Sequence, residues 1–418
     1  MKPRWNRREV LRLSAAALSA TAVPSRARGE GPDSPKTIAA AVTEYRKNSH
    51  ADVILGKILE GWKQDGGAGP NLKLASLYVD QFPESDLARS MAEKHGVPIY
   101  DSIEDAMTLK RGKVAVDGVL SIGEHGNYPW NEKGQQLYPR QRFFREISDT
   151  FQKYESVVPV FNDKHLGPPW NEAQWIYQRA KQLDIPLMAG SSLPVTFREP
   201  DGTVPMGCDI ENVVGIGYGG LDAYGFHALE FLQCLVERRR GAETGIESVQ
   251  CLVGEAMWKA LDERVVSATL FDAAWSAAAK AEGKNVRDLR GEHVALFLLR
   301  YNDGLQAALF MLSGVAQGHS VALNLKGQGG PVVICPEERY VPAFPHFAYL
   351  LKAIEQMIFT GRPSYPVERT LLTTGMLDRL LTSRFHQGRK LITPELAIAY
   401  EPVDFPYAPH IDLDARFS

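Results

Sequence analysis

The 418-residue chain has few cysteines, no excess of charge of one sign and no long apolar run beyond its N-terminal segment. Its four cysteines show neither C-x-x-C spacing nor a zinc pattern, so they predict no structural metal site. A formal net charge of -3 provides no basic surface for nucleic acid or an anionic membrane. No later segment reaches about 18 apolar residues, the length that a membrane span requires. We therefore expect neither a nucleic-acid partner nor a membrane partner.

The first residues have the pattern of an export signal. Paired arginines, Arg7-Arg8, precede a short apolar stretch at 13–23, and the small residues Ser25 and Ala27 follow it. This order is typical of a twin-arginine signal peptide, and the apolar stretch is too short to span a membrane. We expect residues 1–27 to be removed, residues 28–35 to form a linker, and the mature protein to be soluble in the periplasm.

Strand and helix patterns alternate between residues 36 and 193. The alternation predicts the α/β class, with a Rossmann-like, doubly wound parallel sheet. Beyond Pro194, long helical patterns mix with alternating strands, which predicts an α+β domain at 194–418 with a large open sheet that serves substrate binding and oligomerisation. We expect the last long helix, 368–384, to pack across both domains.

The expected elements follow from these patterns. The predicted strands are 37–43, 72–79, 97–100, 114–122, 157–161 and 185–188, then 248–253, 293–301, 306–312, 320–326 and 331–335. The predicted helices are 51–62, 86–95, one that starts at 102, 138–154, 171–183, 223–240, 346–359 and 368–384.

Polar residues follow two of the predicted strands directly. Asp163, Lys164 and His165 come at the end of one apolar run, and Glu124 and His125 follow another. In an open parallel sheet the carboxyl ends of the strands line the crevice in which ligands bind. An acid, a lysine and a histidine at this edge predict a small-molecule active site.

Lys164 and His227 are the candidates for proton transfer. A lysine in a cleft changes its pKa readily, which suits a catalytic role; the alternative is a structural salt bridge. His227 follows a glycine-rich loop and is expected to act as general base toward a sugar hydroxyl; the alternative is a buried structural histidine. Glu230, one helical turn later, is expected to orient the His227 ring. Asp163 completes the predicted catalytic set.

Over residues 36–400 the chain resembles the Gfo/Idh/MocA family of sugar dehydrogenases, which includes glucose-fructose oxidoreductase and inositol dehydrogenase. The segments that carry the resemblance are 72–80, 88–106, 116–119, 162–165 and 219–230. The resemblance implies a two-domain fold, a tightly held NAD or NADP, and oxidation of a sugar or polyol. It also implies that Lys164 touches substrate and nicotinamide, that His227 is the acid/base, and that Asp80 binds the ribose.

One departure from that family is large. The first strand leads into Thr43-Glu44-Tyr45-Arg46, without the G-x-G-x-x-G turn that lets the backbone approach a pyrophosphate. We expect Tyr45 and Arg46 to replace this turn, with Arg46 as a bidentate phosphate ligand. The expected cofactor contacts are Thr43, Glu44, Tyr45, Arg46, Asp80, Glu124 and His125, and the expected substrate contacts are Tyr128, His165 and Tyr224.

The missing glycines keep a second class of function open. On the same fold the chain would be a non-redox carbohydrate lyase, hydrolase or epimerase, or a sugar-binding protein. If such a non-redox enzyme is metal-assisted, we expect His125, His165 and His227 to hold a divalent metal. The resemblance favours the oxidoreductase, which is the function that we predict. The expected partners are a small carbohydrate and a second copy of the chain, bound through the second-domain sheet.

Replacing Arg7 and Arg8 with lysine tests the export signal. The twin-arginine receptor requires the arginine pair, so we expect the double variant to stay in the cytoplasm with its N-terminal segment uncleaved. Cell fractionation and the N-terminal mass of the purified protein measure this. Unchanged export and processing would contradict the prediction.

Overall fold

The computed structural model describes residues 34–281 and 285–408. Residues 1–27, predicted to be a signal peptide, lie outside the described residues. From Pro35 onward the chain forms one compact unit. Within the described part of the chain, no helix is both long and apolar enough to cross a membrane. All four cysteines are free thiols, and Cys234 and Cys251 are buried.

The first half of the unit is a six-stranded sheet in which every neighbouring pair is parallel. The strand order is β3-β2-β1-β4-β5-β6, which is the doubly wound arrangement expected from the sequence. Its strands are β1 (Lys36–Val42), β2 (Leu72–Val79), β3 (Ile99–Tyr100), β4 (Gly118–Ile122), β5 (Val160–Asp163) and β6 (Leu187–Gly190). Its helices are α1 (His50–Glu60), α2 (Ala88–His95), α3 (Ile103–Thr108), α4 (Arg140–Tyr154) and α5 (Trp170–Gln182).

The central strand β1 shows why this sheet is covered on both faces. Ala39 and Ala41 belong to one buried apolar cluster, while Ile38, Ala40 and Val42 belong to another. Successive side chains of a strand point to opposite faces, so an entirely apolar strand requires helices on both sides. The carboxyl ends of the strands are thereby left as the open edge of the sheet.

The second half is a seven-stranded mixed sheet in the order β13-β12-β8-β11-β10-β9-β15. A two-stranded sheet pairs β7 (Phe197–Arg198) with β14 (Pro336–Glu337). The strands of the large sheet are β8 (Ile210–Gly217), β9 (Ile246–Val253), β10 (Val294–Tyr301), β11 (Gln306–Leu312), β12 (Ser320–Leu325), β13 (Val332–Ile334) and β15 (Leu391–Ile392). The helices are α6 (Ala223–Val236), α7 (Glu255–Asp262), α8 (Ala268–Ala277), α9 (Pro345–Thr360) and α10 (Val367–Phe385).

Strand β8 and the helices α7 and α8 were not predicted. β8 carries Gly215 and Gly217, and glycine lowers the propensity for strand. Both glycines are needed for close packing: a Cβ at Gly215 would lie 2.9 Å from Leu309, and one at Gly217 would lie 2.8 Å from the Met311 sulfur. The prediction missed a central strand because it weighed the local propensity and not the packing around it.

Helix α10 contacts both halves of the unit. It packs against α5 and β6 of the first half and against α6 and β9 of the second. Arg369 on α10 forms a buried bidentate pair with Glu237 at the end of α6, with 2.8 Å between Nε and Oε2. The Tyr400 hydroxyl donates to the same carboxylate. A domain boundary between residues 193 and 194 stays a prediction, because the described chain packs as one unit.

Glu237→Gln should destabilise the protein strongly. It leaves the Arg369 cation buried without a charged partner, and breaking a buried pair in this way costs about 3–5 kcal/mol. Urea unfolding measures the change in the free energy of unfolding. Glu263→Gln, which breaks the exposed Lys259–Glu263 pair, is the matched control and should change little. Equal effects of the two substitutions would contradict the role given to the α6–α10 pair.

Candidate functional site

The candidate site lies at the carboxyl edge of the six-stranded sheet, where the strand order reverses between β1 and β4. Ligands of open parallel sheets bind in the crevice at such a reversal. Glu124 and His125 follow β4, and Lys164 follows Asp163 at the end of β5. The Thr43 hydroxyl, after β1, donates to the Glu124 carbonyl oxygen at 2.6 Å. This contact joins the loops on the two sides of the reversal.

Glu124 is at the centre of the charges in the site. Its Oε1 accepts from Lys164 Nζ at 2.7 Å, and its Oε2 accepts from the Arg140 guanidinium. All three side chains are buried. Burial opposes the charge on Glu124, but the cations Lys164 and Arg140 together outweigh it and hold the pKa of this carboxyl well below its usual value. The carboxylate therefore stays ionised and fixes the positions of both cations.

Two residues of the site have a left-handed backbone. His125 has a φ of 70° and Lys164 a φ of 63°. Outside glycine this conformation costs on the order of 1–3 kcal/mol, and it concentrates at functional sites. The Lys164 amide donates to the Gly190 carbonyl at 3.1 Å, which holds the turn after β5. The rest of the fold therefore supports two strained residues at neighbouring strand ends.

A histidine that the sequence analysis did not select belongs to the site. His50 is the first residue of α1, and its Nδ1 lies 2.6 Å from Asp163 Oδ2. Its ring centre is 5.3 Å from that of His125 and 6.4 Å from that of His227. The sequence does carry a signal for His50, because the helix after the first strand of a doubly wound sheet begins at the carboxyl edge. Arg140, the first residue of α4, carries the same kind of signal and was also not selected.

His227 faces this cluster from α6. Its Nδ1 lies 2.6 Å from the hydroxyl of Ser191, which follows β6. Burial, and after it the positive charge of Lys164, hold the pKa of His227 well below its usual value. The ring is therefore neutral at neutral pH and can accept a proton. The structure brings Lys164, Asp163 and His227 together.

Glu230 accepts hydrogen bonds from Ser191 and Thr373 and not from the His227 ring, so a direct role in orienting that ring does not fit the structure. The side chain is fully buried, and it points toward α10. Its Oε1 accepts from the Thr373 hydroxyl at 2.5 Å, and its Oε2 accepts from the Ser191 amide at 3.4 Å. Burial raises its pKa. Ser191 holds the ring of His227, and Glu230 acts only through Ser191.

The loop after β1 is filled by its own side chains. Tyr45 is fully buried in the apolar core, so the expected contact between Tyr45 and a cofactor does not fit the structure. Glu44 is buried and accepts from Arg46 Nε. The other end of the Arg46 guanidinium lies 3.3 Å from His125 Nδ1. Arg46 is therefore already paired within the chain.

Asp80 at the end of β2 is also occupied. Its Oδ1 accepts from the Tyr78 hydroxyl at 2.7 Å and from Arg142 at 2.6 Å, and its Oδ2 accepts from the Tyr128 hydroxyl at 2.6 Å. Burial opposes ionisation, but these three donors outweigh it and lower the pKa of Asp80. Asp80 and Tyr128, expected to contact ribose and substrate, contact each other.

The three histidines of the metal alternative have separate partners. His165 is buried beside Arg140, whose Nη1 lies 3.2 Å from its Nδ1, and it packs against Phe226. His125 faces Arg46, and His227 faces Ser191. Among residues 34–281 and 285–408, no three His, Cys, Asp or Glu side chains are arranged to hold a metal ion. Both ring nitrogens of the buried His165 face Arg140, so the substrate contact expected of it does not fit the structure either.

An aromatic and acidic group flanks His227. The Tyr224 ring centre lies 6.1 Å from that of His227 and 5.1 Å from that of Tyr218. The Tyr218 hydroxyl donates to Glu338 at 3.2 Å, and His319 Nε2 lies 3.3 Å from the same carboxyl. Burial raises the pKa of Glu338. Tyr224 is 40% exposed and is therefore the member of this group that can meet a ligand.

The fold places the chain in a known structural class. No family model and no curated protein matches it. Solved structures do match in fold, and dehydrogenases are among them. The fold that the Gfo/Idh/MocA resemblance implied is thus confirmed.

Three of these structures show the extent of the similarity. GenD2 from gentamicin A biosynthesis, in complex with NAD, matches with a TM-score of 0.54 and 12% identity over 87% of this chain and 98% of its own. The apo scyllo-inositol dehydrogenase of Lactobacillus casei matches with a TM-score of 0.55 and 12% identity over 86% and 98%. The WlbA dehydrogenase of Bordetella pertussis, with NADH and UDP-GlcNAcA, matches with a TM-score of 0.52 and 12% identity over 86% and 99%. Identities this low establish the fold alone.

A nicotinamide dinucleotide in the usual position of this fold does not fit the residues found here. In that position the pyrophosphate lies on a glycine turn at the N-terminus of the first helix. Here the Ser49 hydroxyl accepts from the Asp52 amide at 3.3 Å, and the Asp52 carboxylate accepts from the Asn48 amide at 2.8 Å. Asp52 is buried and pairs with Lys47 at 3.2 Å, so the amides and the cation at this helix end are already engaged within the chain. The ribose position is closed as well, because Asp80 is already paired.

Lys164→Met tests the charge balance of the site. The substitution removes the cation that lowers the pKa of His227, so that pKa should rise toward its usual value. Glu124 keeps Arg140 as a partner, so the protein should stay folded. An NMR pH titration of the histidine side chains measures the change, with Lys259→Met as an exposed control. An unchanged His227 titration in the folded variant would mean that Lys164 does not act on this ring.

Proposed function

We propose that this protein is an enzyme of the oxidoreductase type that acts on a sugar or a polyol at the carboxyl edge of the six-stranded sheet. The observation that carries the proposal is the convergence of Lys164, held by Glu124, with the neutral ring of His227 at one sheet edge. The fold supports the reaction class, because matching solved structures are dehydrogenases, among them one for scyllo-inositol.

Each residue has a definite task in this proposal. The Lys164 ammonium donates a hydrogen bond to a substrate oxygen and stabilises negative charge that develops there. His227 accepts the proton of a substrate hydroxyl as the carbonyl forms, and it then passes that proton to solvent. Glu124 and Arg140 keep the ammonium in place, and the exposed ring of Tyr224 offers an apolar face to a sugar ring.

An oxidoreductase requires a hydride acceptor. NAD or NADP supplies the hydride acceptor when it is bound to enzymes of this class. The loop after β1 does not fit a dinucleotide in the usual position, so oxidation would require one that is held by other contacts. The steps assigned to Lys164 and His227 concern protons only, and they do not depend on how a cofactor binds.

The absence of a glycine turn in the loop after β1 favours a second candidate function. An enzyme that needs no dinucleotide, such as a carbohydrate lyase, hydrolase or epimerase, has no use for a glycine turn. The paired Glu44 and Arg46, the buried Tyr45 and the acid Asp52 then serve as structure. A sugar-binding protein would explain the loop equally, but it would not explain a buried lysine beside neutral imidazoles.

Two further proposals concern the protein in the cell. We propose that it is exported by the twin-arginine route, supported by Arg7-Arg8 and the short apolar stretch after them. We also propose a homo-oligomer through the seven-stranded sheet. A cavity of about 250 Å³ opens on that sheet beside α8, lined in part by the exposed Val265 and Arg300 and by the half-buried Leu298.

The redox class can be tested on the purified protein. Under the oxidoreductase proposal, denaturation releases NAD or NADP that mass spectrometry detects, and turnover of myo-inositol, scyllo-inositol or glucose changes the nicotinamide absorbance. His227→Asn should lower turnover by roughly 10²–10⁴-fold.

The absence of a bound nucleotide would contradict the oxidoreductase proposal. If no nucleotide is released and neither NAD nor NADP raises the melting temperature, the oxidoreductase proposal fails, because saturation at 100 times the Kd stabilises a protein by about 2.7 kcal/mol. Turnover of a sugar or polyol without a nucleotide would then establish the non-redox class.

A further inference from the structure

The N-terminus of α1 supplies a histidine that pairs with an aspartate at the end of β5. In a doubly wound sheet this helix end faces the ligand crevice, and it is where a pyrophosphate binds when a glycine turn precedes it. In this chain His50 begins the helix, and its Nδ1 lies 2.6 Å from Asp163 Oδ2. Asp163 is the last residue of β5 and comes directly before Lys164. The pair therefore joins the first loop to the strand that supplies the lysine.

The pair has the geometry of an activated base. A carboxylate that accepts from one ring nitrogen fixes the tautomer and stabilises the protonated ring, which leaves the other nitrogen to accept a proton. The Asp163 side chain is 1% exposed and the His50 side chain 12% exposed, so the carboxylate is fixed and the ring has limited access to solvent. Among the described residues, no hydrogen-bond partner is found for His50 Nε2. The Phe347 ring packs edge-on at 4.9 Å and closes one side.

The two imidazoles whose rings lie nearest to His50 in the site, His125 and His227, lack such a partner. His227 faces a neutral hydroxyl at Ser191, and His125 faces the cation Arg46. Burial lowers the pKa of His125 to about 3 and holds that of His227 well below its usual value. A positive charge on either ring has no carboxylate in hydrogen-bond contact with it, whereas a positive charge on His50 is stabilised directly by the Asp163 carboxylate. The titratable groups that face His50 are Asp163, Glu124, His125, His227 and His346.

We propose that His50 is a second catalytic proton-transfer residue of this site and that Asp163 is its positioning residue. The proposal deepens the proposed function, since it rests on the same site, and it applies to both reaction classes. In the forward step the O–H bond of a substrate hydroxyl breaks, the proton forms a bond to His50 Nε2, and the electron pair stays on the oxygen beside the Lys164 ammonium. In an oxidation the substrate hydride goes to the nicotinamide and His50 passes the proton to solvent. In a non-redox reaction the proton returns to a substrate oxygen or carbon, so His50 itself consumes no oxidant or reductant in either class.

The first test needs no substrate. Diethyl pyrocarbonate modifies neutral, accessible imidazole nitrogens, and peptide mass spectrometry gives a rate for each histidine of the full chain. We expect His50 to react, and Asp163→Asn to slow its plateau rate at high pH, because the neutral amide no longer stabilises positive charge on the ring. The exposed His386 should react at the same rate in both proteins. An unreactive His50, or an unchanged rate in folded Asp163→Asn protein, would overturn the proposal.

The second test uses turnover of the inositols and glucose. His50→Gln should lower kcat by roughly 10²–10⁴-fold, the range for a lost general base, and His386→Gln should leave it unchanged. Asp163→Asn should lower kcat with little change in KM, because it acts through His50. His50→Ala should regain part of its activity on addition of imidazole, which a purely structural histidine would not show. Full activity of folded His50→Gln protein would overturn the proposal.

The two proposals fail in different ways. If the wild-type protein converts none of these compounds, the proposed substrate class fails, and the diethyl pyrocarbonate rates alone decide the role of His50. If the compounds are converted and His50→Gln retains full activity, the proposed function stands and His50 is a structural residue.

Discussion

The ion pair between Lys164 and Glu124 is the interaction on which the site depends. Both charges are buried, and each would be unfavourable without the other. Arg140 satisfies the second oxygen of Glu124, so the loop after β4, the turn after β5 and the start of α4 are held by one carboxylate. The left-handed backbone at His125 and Lys164 persists because these contacts fix both turns. The neutral state of His227 follows in part from the same lysine.

The loop after β1 shows how the fold is kept without its usual glycines. Those glycines let strand and helix approach each other closely. Here the Tyr45 side chain fills the core beneath the loop, and Ser49 and Asp52 satisfy the backbone at the start of α1. The loop is thus well packed. Glu44 and Arg46 pair with each other, whereas the buried Tyr45 hydroxyl has no hydrogen-bond partner among the described residues. This loop has no glycine turn to bind a phosphate. Instead, the start of α1 places His50 against Asp163.

The sequence predicted the sheet and several site residues because these depend on simple regularities. An apolar run that ends abruptly in charged residues indicates a buried strand that ends at the polar edge of the sheet. This pattern predicted the positions of Glu124, Asp163 and Lys164. It could not predict where loop side chains point, so Tyr45 was assigned to a cofactor although it lies in the core. It also missed His50, Arg140 and Ser191, since their roles come from contacts across 113, 16 and 36 residues of sequence. Strand β8 was missed because two glycines that packing requires look unfavourable locally.

The balance of charge at the sheet edge bears on what can bind there. The cations are Lys164, Arg140 and Arg46, and the anions opposite them are Glu124, Asp163 and Glu44. The imidazoles of His125, His165 and His227 add no charge, because their pKa values are lowered by burial. The edge is therefore close to neutral, whereas a pyrophosphate needs an excess of positive charge or free helix amides. A neutral polyhydroxylated molecule requires neither, and paired charges and imidazoles offer it the donors and acceptors that its hydroxyls need. The electrostatics thus favour a sugar or polyol at the edge where the fold would otherwise seat a phosphate.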